Sequence, residues 1–106
     1  GASVYSASKA AILSLAKNLS SELLPRKIRV NAISPGPVGT PLHSAQKLGI
    51  NNDQLKKMDE DTVNQVPIGR YGTVEEIAKI VAFFASDDSS FILGAELLAD
   101  GGMATL

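Results

Sequence analysis

The sequence predicts an α/β fold with a parallel sheet, and three features support this prediction. A helical pattern opens the chain, two short segments typical of strands follow, and a further helical pattern separates those two segments. A helix between two strands predicts a right-handed crossover that makes the strands parallel. Parallel sheets are normally covered on both faces and have more than two strands, so we expect this fold to be incomplete on its own.

The composition limits the classes of protein to which the chain can belong. It has 106 residues, 44% of them hydrophobic, which is enough for one small domain. The net charge of −1 gives no reason to expect a nucleic acid or an anionic membrane as partner. No apolar stretch approaches the roughly 20 residues that span a bilayer. The chain has no cysteine, which excludes disulfides and thiolate metal sites and is compatible with the cytoplasmic location that we predict.

The first predicted helix covers residues 4–24. Its apolar residues recur at helical spacing on a stripe wider than one face, so we expect burial on more than one side. Pro25 disfavours helical geometry at Leu24, and the helix should end there. The apolar positions of this stripe are Val4, Ala7, Ala11, Leu15, Leu19 and Leu23.

The first predicted strand covers residues 28–34, which are rich in β-branched side chains. Pro35 and Pro37 end it, because neither residue can donate a hydrogen bond to a sheet. The second predicted strand covers residues 96–100 and is short and apolar. Asp100 and the two glycines after it are typical of a turn and close this strand.

A long connection and two helices lie between the strands. Residues 41–72 form the connection, which either covers the substrate as a lid or is a merely variable loop. Within it, residues 53–65 predict a helix with Asp53 as its cap. Residues 73–76 form a capping-box pattern that opens a helix over residues 74–86.

Tyr5 and Lys9 lie four residues apart on the first helix, so their side chains leave the same face. A phenol is a weak acid with an ordinary pKa of about 10, too high for efficient proton transfer at neutral pH. Lowering that value to about 7 requires roughly 4 kcal/mol of preference for the phenolate. One positive charge about 4 Å away, at an effective dielectric constant of about 20, supplies an interaction of that size. Taken alone, the pair also fits a half-buried tyrosine beside a solvated lysine.

Four segments of the chain resemble the short-chain dehydrogenase/reductase family, and they occur in that family's order. Residues 5–9 are similar to its active-site motif, and residues 31–41 to its nicotinamide-side loop. Residues 67–78 resemble its pre-helix turn and penultimate helix, and residues 99–102 its terminal strand and turn. The resemblance covers essentially the whole chain, which makes it far more specific than any one motif.

This resemblance implies a fold, an activity and a site. The fold would be a Rossmann-type doubly wound parallel sheet, of which this chain holds the last two strands and their flanking helices. The activity would be transfer of hydride between NAD or NADP and a small carbonyl or secondary alcohol. Tyr5 would be the acid in reduction and the base in oxidation, while Lys9 would stabilise its phenolate and bind the nicotinamide ribose. Four residues would hold the nicotinamide carboxamide: Pro35, Gly36, Val38 and Thr40.

The location of this turn agrees with a general rule, because open α/β sheets bind ligands at the carboxyl ends of their strands. The alternative is a purely structural turn, since proline and glycine are common in turns of every kind. The resemblance also implies a homo-oligomer, a dimer or a tetramer. A competing hypothesis from another class is a non-catalytic remnant that acts through protein contacts of the first helix.

Parts of the family pattern do not occur in these residues. The glycine-rich fingerprint is absent, and the family's catalytic serine precedes the tyrosine by more residues than this chain has. Ser3, Ser6 and Ser8 are too close to Tyr5 to replace it. The chain also begins without methionine or a signal peptide. We therefore expect a C-terminal fragment that is inactive alone, and the substrate and the choice between NAD and NADP stay open.

Two other groups of polar residues are weaker candidates for a site. His43 is the single histidine, and we expect a surface or lid residue there, not a base or a metal ligand. Residues 59–61 form an acidic run, which is most simply a solvated helix face. No metal site is predicted.

Overall fold

The computed structural model describes residues 1–106 as a helical chain with one small sheet. Two short 3₁₀ turns, Leu24–Arg26 and Asp87–Ser89, follow the first and the last helix. No helix is both long and apolar enough to cross a membrane. In chain order the elements are α1 (Ser3–Leu23), β1 (Ala32–Pro35), α2 (Ala45–Leu48), α3 (Asn52–Gln65), α4 (Val74–Ala85) and β2 (Glu96–Ala99).

β1 and β2 pair with each other in a two-stranded sheet. The amide of Ala32 donates to the carbonyl of Ala95 (2.8 Å), and the amide of Gly36 donates to the carbonyl of Ala99 (3.1 Å). Both partners advance four residues in the same direction, which is the pattern of parallel strands. The α/β class and the parallel pairing predicted from the sequence are therefore confirmed.

The predicted start of the first strand was wrong, because the ladder begins at Ala32 and not at residue 28. The residues before it use other partners. The carbonyl of Val30 accepts from the amide of Gly94 (2.8 Å), and the Asn31 side chain bonds the Ile92 carbonyl (3.0 Å) and the Ala95 amide (3.0 Å). A β-branched pattern predicts extended backbone, but where a ladder begins depends on the partner strand.

The end of α1 follows from Pro25 and from one left-handed residue. The α-helix ends at Leu23, and Pro25 lies in the 3₁₀ turn that continues it. Lys27 closes this turn with φ 58° and donates its amide to the Leu24 carbonyl (2.8 Å). The helix thus ends one residue before the position that Pro25 predicts.

Residues 41–72 are more regular than a variable connection, because they contain both α2 and α3. The predicted cap of α3 was wrong. Asn51 is the cap, since its side chain accepts from the Gln54 amide (2.8 Å) and the Gln54 side chain accepts from the Asn51 amide (2.9 Å). Asp53 lies within the first turn of the helix, where a carboxylate interacts favourably with the helix dipole.

The capping box of α4 is confirmed. The Thr73 hydroxyl accepts from the Glu76 amide (3.1 Å), and the Glu76 carboxylate accepts from the Thr73 amide (2.8 Å). Arg70 adds two bonds to the same carboxylate, at 3.0 and 2.8 Å. The turn before α4 is therefore tied to the first turn of the helix.

The chain divides into two compact units. One consists of Gly1–Ile33 with Ile80–Leu97, and the other of Ser34–Lys79 with Leu98–Leu106. In the first, the buried residues are Ser20 and Ser89. In the second, Val66 is buried, and it is the single buried hydrophobic residue of the chain.

The apolar stripe of α1 is uncovered, which differs from the burial that its width predicts. Val4 is 81% exposed, and Ile12 and Leu15 are each more than half exposed. The helical pattern itself predicts α1 correctly. No other element of the chain covers this stripe over its whole width.

Candidate functional site

Tyr5 and Lys9 meet on one exposed face of α1. The Lys9 ammonium lies 5.4 Å from the centroid of the Tyr5 ring, within the range of an attractive cation–π contact. Tyr5 is 66% exposed. The Ser8 hydroxyl donates to the Tyr5 carbonyl (2.7 Å) and is thereby occupied with the helix backbone. The predicted same-face arrangement of phenol and ammonium is present.

The turn after β1 belongs to the other unit and is held on both sides by backbone pairing. Val38 forms a parallel bridge with Gly72. The Gly72 amide donates to the Pro37 carbonyl (2.9 Å), and the Gly39 amide donates to the Gly72 carbonyl (3.0 Å). These contacts give the turn a defined conformation, which a binding surface made of backbone groups requires.

Each of the four predicted turn residues has a defined place in this segment. Pro35 is the last residue of β1 and is exposed. Gly36 follows it and pairs with Ala99, while Val38 pairs with Gly72. Thr40 is half-buried, and its carbonyl accepts from the His43 amide (2.9 Å).

Gly36 is required by the close approach of Asp100. A Cβ placed on Gly36 would lie 2.7 Å from the Asp100 Cα, a backbone atom that cannot move aside cheaply. The Asp100 carboxylate is itself engaged, because it accepts from the amides of Gly102 (2.9 Å) and Ala104 (2.9 Å). The turn after β1 and the turn after β2 thus pack backbone against backbone.

The segment before α4 packs against the same terminal turn. The Ile68 amide donates to the Gly101 carbonyl (3.1 Å). Gly101 has φ +66°, and a Cβ there would lie 2.6 Å from Cγ1 of Val66. The glycines after Asp100 therefore have a packing role as well as a conformational one.

His43, Asp59 and Tyr71 form a cluster that no sequence pattern indicates. His43 Nε2 contacts Asp59 Oδ1, and the Tyr71 hydroxyl donates to the same oxygen (3.1 Å). The expectation of a purely solvated acidic run is wrong for Asp59, whose carboxylate is engaged by these two groups. No local signal could have joined His43 to a residue sixteen positions away.

Arg29 was not predicted as a site residue, yet it organises the end of α4. Its guanidinium donates to the carbonyls of Phe84 (2.8 Å), Ser86 (2.9 Å) and Ser89 (2.8 Å), and to the Ser89 hydroxyl (2.8 Å). A signal for this role exists, since Arg29 and Asn31 alternate with apolar residues and so point the same way. A groove of ≈ 370 Å³ is lined by Arg29, Val30, Asn31, Ile33, Val81, Phe84 and Ala85.

No group of three or more histidine and acidic side chains is arranged to hold a metal ion. The side chains described above offer hydroxyl, ammonium, imidazole, guanidinium and carboxylate groups. Among them, Tyr5 and Lys9 bring a phenol and an ammonium together on one exposed helix face.

Comparison with known proteins gives consistent matches along the whole chain. A family model described as enoyl-(acyl carrier protein) reductase matches residues 1–104. The 3-oxoacyl-[acyl-carrier-protein] reductase FabG of Thermotoga maritima is 39% identical over 103 residues, which are 97% of this chain and 39% of that protein. The acetoacetyl-CoA reductase of Rhizobium meliloti is 42% identical over 98 residues, 92% of this chain and 38% of that protein.

A solved structure matches as well. A short chain dehydrogenase family protein from Francisella tularensis superposes with a TM-score of 0.81 at 31% identity, over 96% of this chain and 43% of that one. The chain spans about two fifths of the length of the curated relatives it matches.

Proposed function

This chain belongs to the short-chain dehydrogenase/reductase family, and on that basis we propose that it carries the acid–base pair of an NAD(P)-dependent oxidoreductase. The substrate is a small carbonyl compound or the corresponding secondary alcohol. The observation that carries the proposal is the Lys9 ammonium 5.4 Å from the Tyr5 ring centroid on an exposed helix face. The names of the reductases to which the chain is similar support the reaction class.

Tyr5 moves the proton. In the reductive direction its hydroxyl donates a proton to the oxygen of the forming alcohol, and in the oxidative direction the phenolate accepts it back. Lys9 holds its positive charge on the same helix face, 5.4 Å from the Tyr5 ring centroid, where it attracts negative charge that develops on the phenol oxygen during the transfer.

The hydrogen-bonding groups of these residues are of the kinds that would bind a nicotinamide cofactor. Tyr5 and Lys9 offer a hydroxyl and an ammonium to ribose hydroxyls. Separately, the turn formed by Pro35, Gly36, Val38 and Thr40 offers backbone groups and one hydroxyl to the carboxamide. When bound, the cofactor supplies or takes the hydride. The choice between NAD and NADP is not assigned to any residue of the chain.

We further propose that these residues form the last two strands of a Rossmann-type sheet in a longer enzyme. The uncovered stripe of α1 supports this, since Val4 at 81% and Leu15 at 56% exposure are typical of a helix whose neighbours lie outside the chain. A second candidate, a non-catalytic remnant that acts through contacts of α1, is favoured by the same exposed stripe.

Substitution of Tyr5 separates the two candidates. In the intact protein, assayed with NADH and NADPH against a panel of 3-oxoacyl thioesters, ketones and aldehydes, we expect Tyr5→Phe to reduce turnover by roughly 10²- to 10⁴-fold. Circular dichroism should show an unchanged fold. Lys17→Met, on the same helix but away from the pair, is the control and should retain turnover.

Two outcomes would contradict the enzymatic proposal. One is a Tyr5→Phe variant as active as the parent. The other is an intact protein without cofactor-dependent turnover on the whole panel, in which Leu15→Lys instead changes the oligomeric state. The second outcome would favour the remnant.

A further inference from the structure

One carboxylate oxygen joins three segments of the chain. Oδ1 of Asp59 contacts Nε2 of His43 and accepts from the Tyr71 hydroxyl at 3.1 Å. The rings of His43 and Tyr71 also lie against each other, with centroids 5.1 Å apart. All three side chains are half-buried, which partly shields their contacts from competing water. These three residues form what we call the Asp59 cluster.

The two partners of this oxygen hold the turn after β1 at two places. His43 holds the end of the turn, because its amide donates to the carbonyl of Thr40 (2.9 Å). Tyr71 holds the segment beside the turn, because it precedes Gly72, which forms the parallel bridge with Val38. Two points of attachment of one turn therefore converge on a single side chain of α3.

The attachment to α3 adds a support that the backbone bridge does not give. The bridge joins the turn to residues 70–73, which are irregular backbone before α4. Asp59 lies in the middle of a 14-residue helix whose start is fixed by a capping box. Groups held by side chains of a helix are placed more precisely than groups held by a loop alone. The Asp59 cluster therefore gives the turn a fixed position relative to a regular element.

We propose that Asp59 is a positioning residue for the nicotinamide cofactor and acts through His43 and Tyr71. It keeps Val38 and Thr40 in the arrangement that binds the carboxamide and does not itself touch the cofactor. This inference rests on the function proposed above, in which the turn after β1 binds that group. A binding surface loses affinity when the residues that support it are removed, even though its own groups are unchanged.

The role requires an acceptor oxygen at position 59, which sets the expected order of variants. Asp59→Ala removes the acceptor and releases both partners. Asp59→Asn keeps one oxygen and should retain most of the support. Tyr71→Phe removes a single hydroxyl but keeps the ring that lies against His43, so its effect should be smaller than that of Asp59→Ala.

Amide hydrogen exchange of the intact protein tests the support without substrate or cofactor. In Asp59→Ala we expect the amides of Gly39, His43 and Gly72 to be about tenfold less protected than in the parent, the effect of losing hydrogen bonds to a charged group. Amides of α4 should keep the parent's protection. Unchanged protection of the three amides in Asp59→Ala would overturn the proposal.

Asp61→Ala is the matched control. It removes the same carboxylate two positions further along α3, from a residue that is exposed. The three amides should exchange in this variant as they do in the parent. A loss of protection equal to that in Asp59→Ala would refute a specific role of Asp59.

Cofactor binding and kinetics separate positioning from a purely structural role. With NADH and NADPH, we expect Asp59→Ala to raise both Kd and KM for the cofactor about tenfold, with kcat little changed. Asp59→Asn should restore most of the affinity, and Tyr71→Phe should raise Kd by about threefold. A fall in kcat at unchanged KM, or an Asn variant as weak as the Ala variant, would contradict the positioning role. If Asp59→Ala does not fold, Tyr71→Phe alone provides the same comparison of Kd, KM and kcat.

The two proposals fail in different ways. An intact parent protein that binds neither NADH nor NADPH would overturn both of them. A parent that binds the cofactor and turns over, together with an Asp59→Ala variant of unchanged Kd and KM, would overturn the positioning role alone.

Discussion

At the scale of single residues, Gly36 shows how little space lies between the two turns that follow the strands. The Cα of Asp100 lies only 2.7 Å from the point where a Cβ of residue 36 would stand. Gly36 has no positive φ to explain its presence. Close approach of backbone, not backbone conformation, is therefore the reason for glycine at this position.

Substitution of Gly36 should reveal this requirement. We expect Gly36→Ala to lower the free energy of unfolding of the intact protein by about 1–3 kcal/mol, the usual cost of overpacking against atoms that cannot move. Gly39→Ala is a matched control, because the nearest atom to its Cβ would be 3.9 Å away. Urea denaturation measures both, and equal losses in the two variants would contradict the packing explanation.

Contacts between residues that are close in the sequence could be predicted, and contacts between distant residues could not. Tyr5 and Lys9 could be paired from the sequence, because four residues in a helix fix their relation. His43 could not be paired with Asp59, because only the path of the intervening backbone brings them together. Arg29 is an intermediate case. The alternation with apolar residues predicts the side on which its side chain lies, but it does not predict which carbonyls accept its hydrogen bonds.

At the scale of elements, α4 begins in a network that joins a capping box to an ion pair. Bonds from Arg70 and from the Thr73 amide lower the pKa of Glu76 from 4.5 to about 2. Its ionised form is thus favoured in the folded state. This contribution to stability is present above about pH 4.5 and is lost as pH falls toward 2.

The pH dependence of a Glu76 variant tests this assignment. We expect Glu76→Gln to lower the thermal midpoint of the intact protein at pH 7, and the difference from the parent to shrink as pH falls from 4.5 toward 2. Glu75→Gln, at the preceding position of the same helix turn, is the control and should have a smaller effect. A constant difference between Glu76→Gln and the parent over this range would exclude the ion pair as its cause.

Element boundaries were predictable where they depend on local chemistry. Thr73 and Glu76 specify the start of α4 through bonds between neighbours, and Pro25 specifies the end of α1 to within a residue. The start of β1 depends on β2, more than sixty residues later, and could not be read from β-branched residues. The cap of α3 was misassigned because Asn51 and Asp53 are both good capping residues.

At the scale of the whole molecule, apolar side chains outnumber the places that can bury them. Phe91 is 99% exposed and Val4 is 81% exposed, while Val66 is the single buried hydrophobic residue. The width of the α1 stripe predicts burial on more than one side, and the structure instead leaves Val4 and Leu15 largely exposed.

Exposed apolar side chains on this scale should make the chain associate. We expect residues 1–106, expressed alone, to self-associate in light scattering and to show no turnover on the carbonyl panel. Leu15→Glu should reduce association by placing a charge on the apolar stripe of α1, whereas Ser14→Glu should not. A monomeric chain that unfolds in one cooperative step would contradict this expectation.

The bonds of Arg29 also bear on how the protein is made. The acceptors of its guanidinium, at the end of α4 and beyond, lie 55 to 63 positions further along the chain. On the ribosome, the guanidinium emerges long before those carbonyls have been synthesised. These hydrogen bonds can therefore form only after residue 92 has been synthesised. Until then, water and not backbone carbonyls must solvate the guanidinium of Arg29 in the nascent chain.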